Sequence, residues 1–393
     1  MEQKNKDIRY PIISALDGAE SLSINEIALA TDTSVPTVTK YVGELCKEGI
    51  VEHCGKVRIE HGRKPSLYRI GDGGGYFIGA APGPHCLRLG LMDMSGRIVL
   101  NKEMHKELRN TPDALEGICS QIDSLVKESG IERESLKRVS INISGRVNPR
   151  TGYSYSMFNF ENDDAPLAEL LSRRLSVPTL IENDTRAMAF GELRREVRGK
   201  WKDFLFINAG WGLGMSIIIG GQLYYGMAGY CGEIGHTNVF ENEKMCHCGK
   251  KGCLETETSG RALCEQFKER SVAGEVSLLS GREDITEADI INAAIHEDTL
   301  CIELIEQAGA LLGKQIANYV NIFNPEAVII GGTLAKAGDC FIQPIKLAVQ
   351  RYTLRLMSRG MKIIASELGE EAGVLGACLR AREDYLKSHL GAQ

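Results

Sequence analysis

The sequence has no long hydrophobic run and no signal-peptide pattern. Its most apolar stretch, 216–220, is short and bounded by glycine, so no segment approaches the length of a membrane span. Without a signal peptide we expect a cytoplasmic protein, whose twelve cysteines do not form disulfides. Prolines are also few, eleven against 43 glycines, which indicates many tight turns rather than disorder.

A strong charge imbalance is absent as well. The net charge of −6 argues against a protein that coats nucleic acid, but it does not exclude a small DNA-binding domain with clustered basic groups. With 393 residues, the chain is too long for one ordinary domain, and two or three are expected. Its 43% hydrophobic and 25% charged residues are typical of a soluble globular protein.

One histidine and three cysteines lie close together at the spacing His-x9-Cys-x-Cys-x4-Cys: His236, Cys246, Cys248 and Cys253. Four such ligands on a short loop suit a structural zinc site, because Zn²⁺ binds thiolate and imidazole and structural sites fill all four positions. His247 lies nearer to the cysteines and is the alternative histidine ligand. The competing interpretation is that these are ordinary buried cysteines. Lysines and glycines stand between them, however, so the sequence favours zinc.

Residues 1–70 predict three short helices. Apolar residues at helical spacing indicate the first, with Pro11 in its first turn. The sequence at 23–26 fits a capping box that opens the second. The third covers 34–48 and is ended by Gly49. Its expected core-facing residues are Val35, Val38, Val42 and Leu45.

Two short helices joined by a tight turn are typical of a helix-turn-helix, whose second helix enters the DNA major groove with its N-terminal residues. The segment that follows resembles the wing of a winged helix, and 53–69 carries five cations against one acid, as minor-groove arms do. The alternative is a small helical interaction domain with a solvated basic loop. The predicted DNA contacts are Ser34, Thr37, Thr39 and Lys40 on the helix and Arg63 and Lys64 in the wing.

From residue 76 onward, short apolar strands alternate with longer helical patterns, which predicts an α/β fold. The predicted strands are 77–80, 86–92, 139–143, 179–181, 204–208, 215–219, 327–330 and 362–365. The predicted helices are 112–129, 185–197, 300–323, 342–356 and 370–388. For 270–298 the pattern indicates only a polar insertion with some helix.

The block at 232–255, Gly-Glu-x-Gly-His followed by Cys-x-Cys-Gly-x-x-Gly-Cys-Leu-Glu, resembles the signature of the ROK family (repressors, open reading frames and kinases). That family combines sugar kinases with sugar-responsive transcriptional repressors, and the resemblance covers nearly the whole chain. It implies a two-lobe actin-like or hexokinase-like fold, which is ribonuclease H-like, with a ligand cleft between the lobes. The kinases of the family typically lack an N-terminal DNA-binding domain.

The domain boundaries follow from this resemblance. We expect a winged helix-turn-helix over 1–70 and a first lobe over 75–190, completed by the C-terminal helix 370–388. The second lobe, with the zinc loop, is expected over 191–369.

The phosphate loops depart from the pattern of the family's kinases. Their first hairpin reads approximately Asp-x-Gly-Gly-Thr, whose glycines approach the ATP phosphates and whose Asp helps to hold Mg²⁺. Here Ala81 replaces the carboxylate, and Pro82 and Pro84 have no N–H to donate. In the second lobe, Trp211 stands where a small hydroxyl is expected. Phosphoryl transfer depends on positioning and charge stabilisation, so two altered loops predict its loss.

The residues that match the family's sugar ligands are all present in this sequence. The implied sugar ligands are Asn159, Asn183, Asp184, Glu233, His236 and Glu255. Carboxylates and amides that converge on a pocket suit a polyhydroxylated ligand. Asn183 and Asp184 are expected to face the others from the opposite lobe, and the alternative for this pair is a helix N-cap. In the family's kinases the residue matching Asp184 is the general base.

The sequence therefore predicts a sugar-responsive repressor of carbohydrate uptake or catabolism genes, with a degenerate, non-catalytic sugar-kinase domain as its sensor. The expected partners are operator DNA, a sugar or sugar-phosphate effector, and further copies in a homodimer or homotetramer, with no membrane. Structural Zn²⁺ is the only cofactor expected. The alternative from another class is an active or bifunctional sugar kinase, with Asp184 as its catalytic residue. A third possibility is an activator or a DNA-binding protein without a sugar response.

Overall fold

The computed structural model describes residues 2–56, 65–83, 85–105, 109–158, 165–195, 197 and 199–391. The chain divides into two compact units. The first unit contains Met1–Ile143, Thr151–Glu182 and Val374–Gln393, and the second contains Ser144–Arg150 and Asn183–Gly373.

The N-terminal part of the first unit has the element order of a winged helix-turn-helix. Its strands form a three-stranded antiparallel sheet in the order β1-β3-β2. The helices are α1 (Glu2–Asp17), α2 (Ile24–Ala30) and α3 (Val35–Lys47), and the strands are β1 (Leu22–Ser23), β2 (Val51–Lys56) and β3 (Ser66–Ile70). The part of the wing between β2 and β3, 57–64, lies outside the described residues.

The predicted helix signals act as expected at two positions. Ser23 and Glu26 form the capping box of α2, because the Ser23 hydroxyl accepts from the Glu26 N–H at 3.3 Å and the Ser23 N–H donates to Glu26 Oε2 at 2.7 Å. Gly49 follows α3 with a φ of 73°, a left-handed conformation that favours glycine.

Two details of the N-terminal prediction are wrong. Pro11 lies inside α1 rather than in its first turn, because the helix already begins at Glu2. Pro11 is exposed, so its ring faces solvent and one backbone hydrogen bond is lost there. Val35 is 44% exposed instead of buried. It is the first residue of α3, and the buried stripe of the helix starts one turn later, at Val38.

The first lobe is built on a five-stranded sheet in the order β10-β7-β4-β5-β6. Its central strand β4 pairs antiparallel with β5 and parallel with β7. The strands are β4 (Tyr76–Pro82), β5 (Cys86–Asp93), β6 (Ile98–His105), β7 (Leu136–Ile143) and β10 (Thr179–Asn183). The two-residue strands β8 (Val147–Asn148) and β9 (Tyr153–Ser154) lie between β7 and β10 along the chain, and β8 belongs to the second unit. The helices of this region are α4 (Pro112–Ser129), α5 (Leu167–Leu175) and the C-terminal α13 (Glu371–Leu390).

The second lobe repeats this plan in a five-stranded sheet of order β13-β12-β11-β14-β15. Its central strand β11 again pairs antiparallel with the next strand, β12, and parallel with β14. The strands are β11 (Phe204–Ala209), β12 (Leu213–Ile219), β13 (Gln222–Leu223), β14 (Ala327–Gly331) and β15 (Lys362–Ala365). The helices are α6 (Asp184–Arg194), α7 (Glu255–Thr258), α8 (Gly260–Val272), α9 (Glu287–Ile295), α10 (Thr299–Phe323), α11 (Asp339–Tyr352) and α12 (Arg355–Ser358).

The division into units differs from the predicted boundaries at two places. The first lobe was expected to continue to residue 190, but α6 belongs to the second unit because it packs on β11 and β12. The residues of the winged helix are assigned to the same unit as those of the first lobe. Arg382 of α13 donates to Asp17 at the end of α1, with 2.7 Å between Nη2 and Oδ1.

Along the described stretches of the chain, no helix is both long enough and apolar enough to cross a lipid bilayer.

Candidate metal and ligand site

Two glycines seat the Gly-Glu-Ile-Gly-His segment against strand β12. Gly232 has a φ of 97°, and a Cβ atom there would lie 1.9 Å from the carbonyl oxygen of Met215. At Gly235 a Cβ atom would lie 2.5 Å from the carbonyl oxygen of Leu213. Only glycine permits these approaches, so the segment lies directly on the strand and fixes the backbone that carries Glu233.

The predicted metal ligands converge on one point. The donor atoms of His236, Cys246, Cys248 and Cys253 all lie within 4.8 Å of one another. Cys246 Sγ is 3.6 Å from His236 Nδ1, and Cys248 Sγ is 3.6 Å from Cys253 Sγ. Tetrahedral zinc, with bonds of about 2.3 Å to sulfur and 2.0–2.1 Å to nitrogen, separates its ligand atoms by about 3.5–3.8 Å. These residues therefore fit a tetrahedral metal ion.

Burial of the cysteines sets the pH dependence of this cluster. Burial raises the pKa of the Cys253 thiol to about 12 and also raises the pKa of the Cys246 thiol. Both thiols are therefore protonated at neutral pH until a metal displaces the protons, and metal affinity falls as the pH is lowered.

His236 directs its two ring nitrogens toward different partners. Nδ1 faces Cys246 of the cluster, and Nε2 lies 3.9 Å from Glu233 Oε2. Burial raises the pKa of the half-buried Glu233 carboxyl. The nearby Asp184 carboxylate raises this pKa further, and the interaction with His236 lowers it. One imidazole thus lies between the candidate metal cluster and a half-buried carboxyl group.

Glu255, the second carboxylate of the loop, is 4% exposed. Its Oε2 accepts from the Leu213 N–H at 3.1 Å, and its Oε1 accepts from Arg261 Nη2 at 2.9 Å. His247 Nδ1 lies 3.0 Å from the same Oε1 atom. A buried carboxylate needs such partners, because an unpaired buried charge is strongly destabilising.

Asn183 is the N-cap of α6, as the alternative interpretation had it. Its Oδ1 accepts from the Arg186 N–H at 3.1 Å. Its amide nitrogen donates to the Gly145 carbonyl and to Asp184 Oδ1, both at 3.0 Å. The side chain therefore holds α6, the 144–150 segment and Asp184 together.

Asp184 begins α6 and carries the most constrained carboxylate of the site. Its Oδ2 accepts from Ser144 Oγ at 2.7 Å, and its Oδ1 accepts from the Thr185 N–H at 2.7 Å. Burial raises the pKa of this carboxyl, and the hydrogen bonds from Ser144 and Thr185 partly offset the rise. A desolvated carboxylate of this kind can accept a hydrogen bond from a ligand hydroxyl or take up its proton.

Asn183 and Asp184 do not come from the lobe opposite to the other predicted ligands, as was expected. They belong to the second unit together with Glu233, His236 and Glu255, because α6 packs against the second sheet. The third of the predicted asparagines, Asn159, lies outside the described residues.

Among the residues near the site that the sequence did not predict are Ser144 and Arg186. Ser144, directly after β7, donates to Asp184. Arg186 is only 2% exposed and donates to the carbonyls of Gly229 at 2.6 Å and Val147 at 3.1 Å, so it connects two loops of the second unit. Neither position belongs to a spaced motif, and a buried arginine leaves no periodic signal in a sequence.

The first-lobe hairpin, whose sequence departs from the phosphate loop of the family's kinases, is an ordinary strand pair here. Ala81 and Pro82 are the last two residues of β4 and pair with Arg88 and Leu87 of β5. Pro84 lies outside the described residues. Gly79 is required by packing, because a Cβ atom there would lie 2.5 Å from the backbone nitrogen of Cys378.

The corresponding turn of the second lobe joins β11 to β12. Trp211 stands at its tip, 37% exposed, and the Gly210 N–H donates to the Gly212 carbonyl at 3.1 Å. The indole is therefore partly exposed at the turn between these two strands.

The predicted DNA contacts of the helix are Ser34, which is the N-cap of α3, and three residues in the first half of α3. Ser34, Thr39 and Lys40 are exposed and Thr37 is half-buried. Ser34 Oγ and Thr37 Oγ1 are 2.7 Å apart, and Thr39 Oγ1 donates to the Val35 carbonyl at 2.8 Å. Lys40 Nζ lies 5.2 Å from the centre of the Tyr41 ring. Arg63 and Lys64 lie outside the described residues.

Two family models match the chain. One, described as the ROK family, matches residues 77–384, and the other, described as a winged helix-turn-helix DNA-binding domain, matches residues 6–52.

Relatives of this chain include both repressors and kinases. A xylose repressor of Caldicellulosiruptor bescii is 28% identical over 369 residues, which cover 93% of this chain and 92% of that protein. The crystal structure of a ROK family transcriptional regulator, a homologue of the Escherichia coli MLC protein, has the same fold. It superposes with a TM-score of 0.83 at 24% identity over 99% of this chain and 98% of that one. The structure of a ROK family glucokinase from Streptomyces griseus, solved with glucose and AMPPNP, superposes with a TM-score of 0.69 at 29% identity. The match covers 79% of this chain and 100% of the glucokinase chain.

Proposed function

This chain belongs to the ROK family, and on that premise we propose that it is a transcriptional repressor that binds operator DNA and responds to a sugar. The observation that carries the proposal is the winged helix-turn-helix match at residues 6–52, which precedes the family domain. The alignment with a repressor relative covers 93% of this chain. The match with a kinase relative of the same family covers only 79% of this chain, although it includes the whole kinase chain.

The DNA-binding element is the winged helix, with Ser34, Thr37, Thr39 and Lys40 reading the major groove and Arg63 and Lys64 in the minor groove. The protein acts in the cytoplasm on genes of carbohydrate uptake or catabolism. Two winged helices are needed to read two half-sites, so it acts as a homodimer or homotetramer on a roughly palindromic operator.

Zinc is the metal that suits the cluster of His236, Cys246, Cys248 and Cys253. Three thiols and one imidazole form a donor set typical of structural zinc, and all four positions are filled by protein. When bound, the metal supplies rigidity to the loop between β13 and α7. His236 would bind it through Nδ1, which leaves Nε2 on the side of Glu233.

The effector site consists of Asp184, Glu233, His236 and Glu255 with Asn183 as support, and Asn159 as a further ligand. Glu233 and Asp184 accept hydrogen bonds from sugar hydroxyls, and His236 Nε2 contacts a hydroxyl beside Glu233. The sugar changes DNA binding because it has different affinities for two conformations of the chain. A ligand with equal affinity for both would not shift the equilibrium between them.

A sugar kinase is the second candidate, favoured by the desolvated Asp184 carboxylate at the position of the kinases' general base. The absence of a carboxylate at Ala81 and the indole of Trp211 oppose it. We expect no turnover above background with ATP, Mg²⁺ and a panel of hexoses and N-acetylhexosamines. A coupled ADP-release assay measures this. Robust phosphorylation that disappears in Asp184→Asn would establish the kinase instead.

Asp184→Asn is expected to separate affinity from stability. Loss of a charged hydrogen bond to the sugar should cost about 1.5–3 kcal/mol of binding free energy by calorimetry. The pKa of Asp184 is higher in the folded chain than in the unfolded chain. At a pH above the folded-state pKa, the ionised carboxylate therefore lowers the free energy of unfolding. This destabilisation disappears at a pH below 3.8, the ordinary pKa of the group. The sugar-free variant should therefore have the higher unfolding temperature near pH 7, and the difference should shrink as the pH falls.

Asp284→Asn is the control for this variant, because it makes the same change at an exposed loop position. It should alter neither sugar affinity nor unfolding temperature. If Asp184→Asn binds the sugar as tightly as the native chain does, the effector lies elsewhere.

A further inference from the structure

His247 stands between two metal-donor cysteines but turns toward the effector site. Its Nδ1 lies 3.0 Å from Glu255 Oε1 and 3.8 Å from Cys246 Sγ. The shorter of these contacts is to the carboxylate. The ring also meets His236 edge to face, with 5.0 Å between the ring centres and 72° between the planes. His247 therefore spans the space between the metal cluster and the buried Glu255.

An arginine completes this contact. Arg261 Nη2 lies 2.9 Å from Glu255 Oε1 and 3.0 Å from His247 Nδ1, so the three side chains meet in a triangle. With its proton on Nδ1 the imidazole donates to the carboxylate, and with the proton on Nε2 it accepts from the guanidinium. Either tautomer ties the ring to the Arg261–Glu255 pair.

The backbone of β12 binds the other oxygen of the Glu255 carboxylate. Glu255 Oε2 accepts from the Leu213 N–H, and only 5% of the Glu255 side chain is exposed. Both of its oxygens are thus fixed, one by the strand and one by the triangle. Removal of His247 would leave Oε1 with Arg261 as its remaining partner in the triangle and would loosen the carboxylate.

We infer that His247 is a positioning residue, which aims Glu255 at the effector and thereby couples the order of the metal loop to sugar affinity. The inference rests on the proposed function, in which Glu255 contacts the sugar. It assigns His247 a role distinct from that of His236, which belongs to the metal cluster. The sequence between Cys246 and Cys248 then becomes part of the effector site.

The test is calorimetry of the full-length chain with D-xylose, D-glucose and N-acetyl-D-glucosamine, combined with metal analysis and operator binding without sugar. His247→Ala should weaken the sugar that binds the native chain by roughly tenfold, since one hydrogen bond to a charged group is lost. Zinc content and sugar-free operator affinity should not change. His247→Asn, whose amide can replace Nδ1, should recover most of the loss. Lys250→Ala, an exposed change in the same loop, should behave as the native chain does.

A double-mutant cycle with Glu255→Gln distinguishes positioning from a general loosening of the loop. If His247 acts through Glu255, the loss from His247→Ala should nearly vanish in the Glu255→Gln background. If the two losses of affinity are additive, this inference is wrong but the proposed function stands. The same holds if the native chain binds two metal equivalents and His247→Ala binds only one, because His247 would then be a metal ligand. A native chain that binds none of the three sugars would contradict the proposed function, and with it the inference.

Discussion

Cys253→Ser is expected to release the metal and to abolish sugar binding. Cys253 is fully buried and its Sγ lies 3.6 Å from that of Cys248, so a serine there leaves three donors around the ion. Apparent binding free energies of structural zinc are about 10–16 kcal/mol at neutral pH, and they appear as folding free energy of the loop that the ion organises. Metal content by plasma mass spectrometry should fall from about one equivalent to a small fraction of one.

The loss should extend from the metal to the effector site because the loop carries both. Backbone hydrogen bonds connect the segment to its surroundings, for example from Leu254 N–H to the Thr237 carbonyl at 3.0 Å. Without the ion, His236 and Glu255 are no longer held relative to each other. Cys301→Ser makes the same change at an equally buried thiol of the second unit and should retain metal and sugar affinity. A Cys253→Ser protein that keeps its metal, or a native protein that folds fully without any, would contradict the assignment.

The second large effect is expected in DNA binding. Replacement of Lys40, Arg63 and Lys64 by alanine should lower operator affinity by roughly one to two orders of magnitude at low salt, because each cation neutralises a phosphate. The slope of log K against log salt should fall by about one for Lys40→Ala and by about three for the triple variant. Fluorescence anisotropy with labelled operator at several salt concentrations measures both.

Lys268→Ala provides the matched control, because it removes one exposed cation from α8, outside the winged helix. It should change neither the affinity nor the slope. Sugar affinity of the triple variant should equal that of the native chain. An unchanged salt slope in the triple variant would show that these cations do not meet phosphate.

The sequence predicted those elements that depend on local signals. The capping box at Ser23 and the glycine after α3 determine helix ends within a few residues, so both are readable without tertiary structure. All eight predicted strands and all five predicted helices of the larger region are present, with bounds that shift by a few residues. Strand β6 was missed, because its residues alternate between half-buried and exposed along a sheet edge and include charged side chains.

Contacts between distant segments could not be predicted in the same way. The candidate metal ligands were predictable because one histidine and three cysteines lie close together in the sequence, and the structure brings all four together. The assignment of Asp184 to a lobe depends on where α6 packs, which the Asn-Asp motif does not encode. Ser144 contacts Asp184 across 40 residues of chain and Arg261 contacts Glu255 across 6, and the sequence has no pattern for either contact.

The central claim, that one chain couples sugar binding to operator binding without chemistry on the sugar, is tested most directly by one titration. Labelled DNA from the region upstream of the gene is bound by the native chain, and sugars are added without ATP while anisotropy is recorded. One sugar is expected to change operator affinity by about 5–150-fold, the usual range of coupling between two sites. The same sugar should have a much weaker effect on Asp184→Asn. Operator affinity that no sugar changes, in a chain that calorimetry shows to bind sugar, would contradict the account.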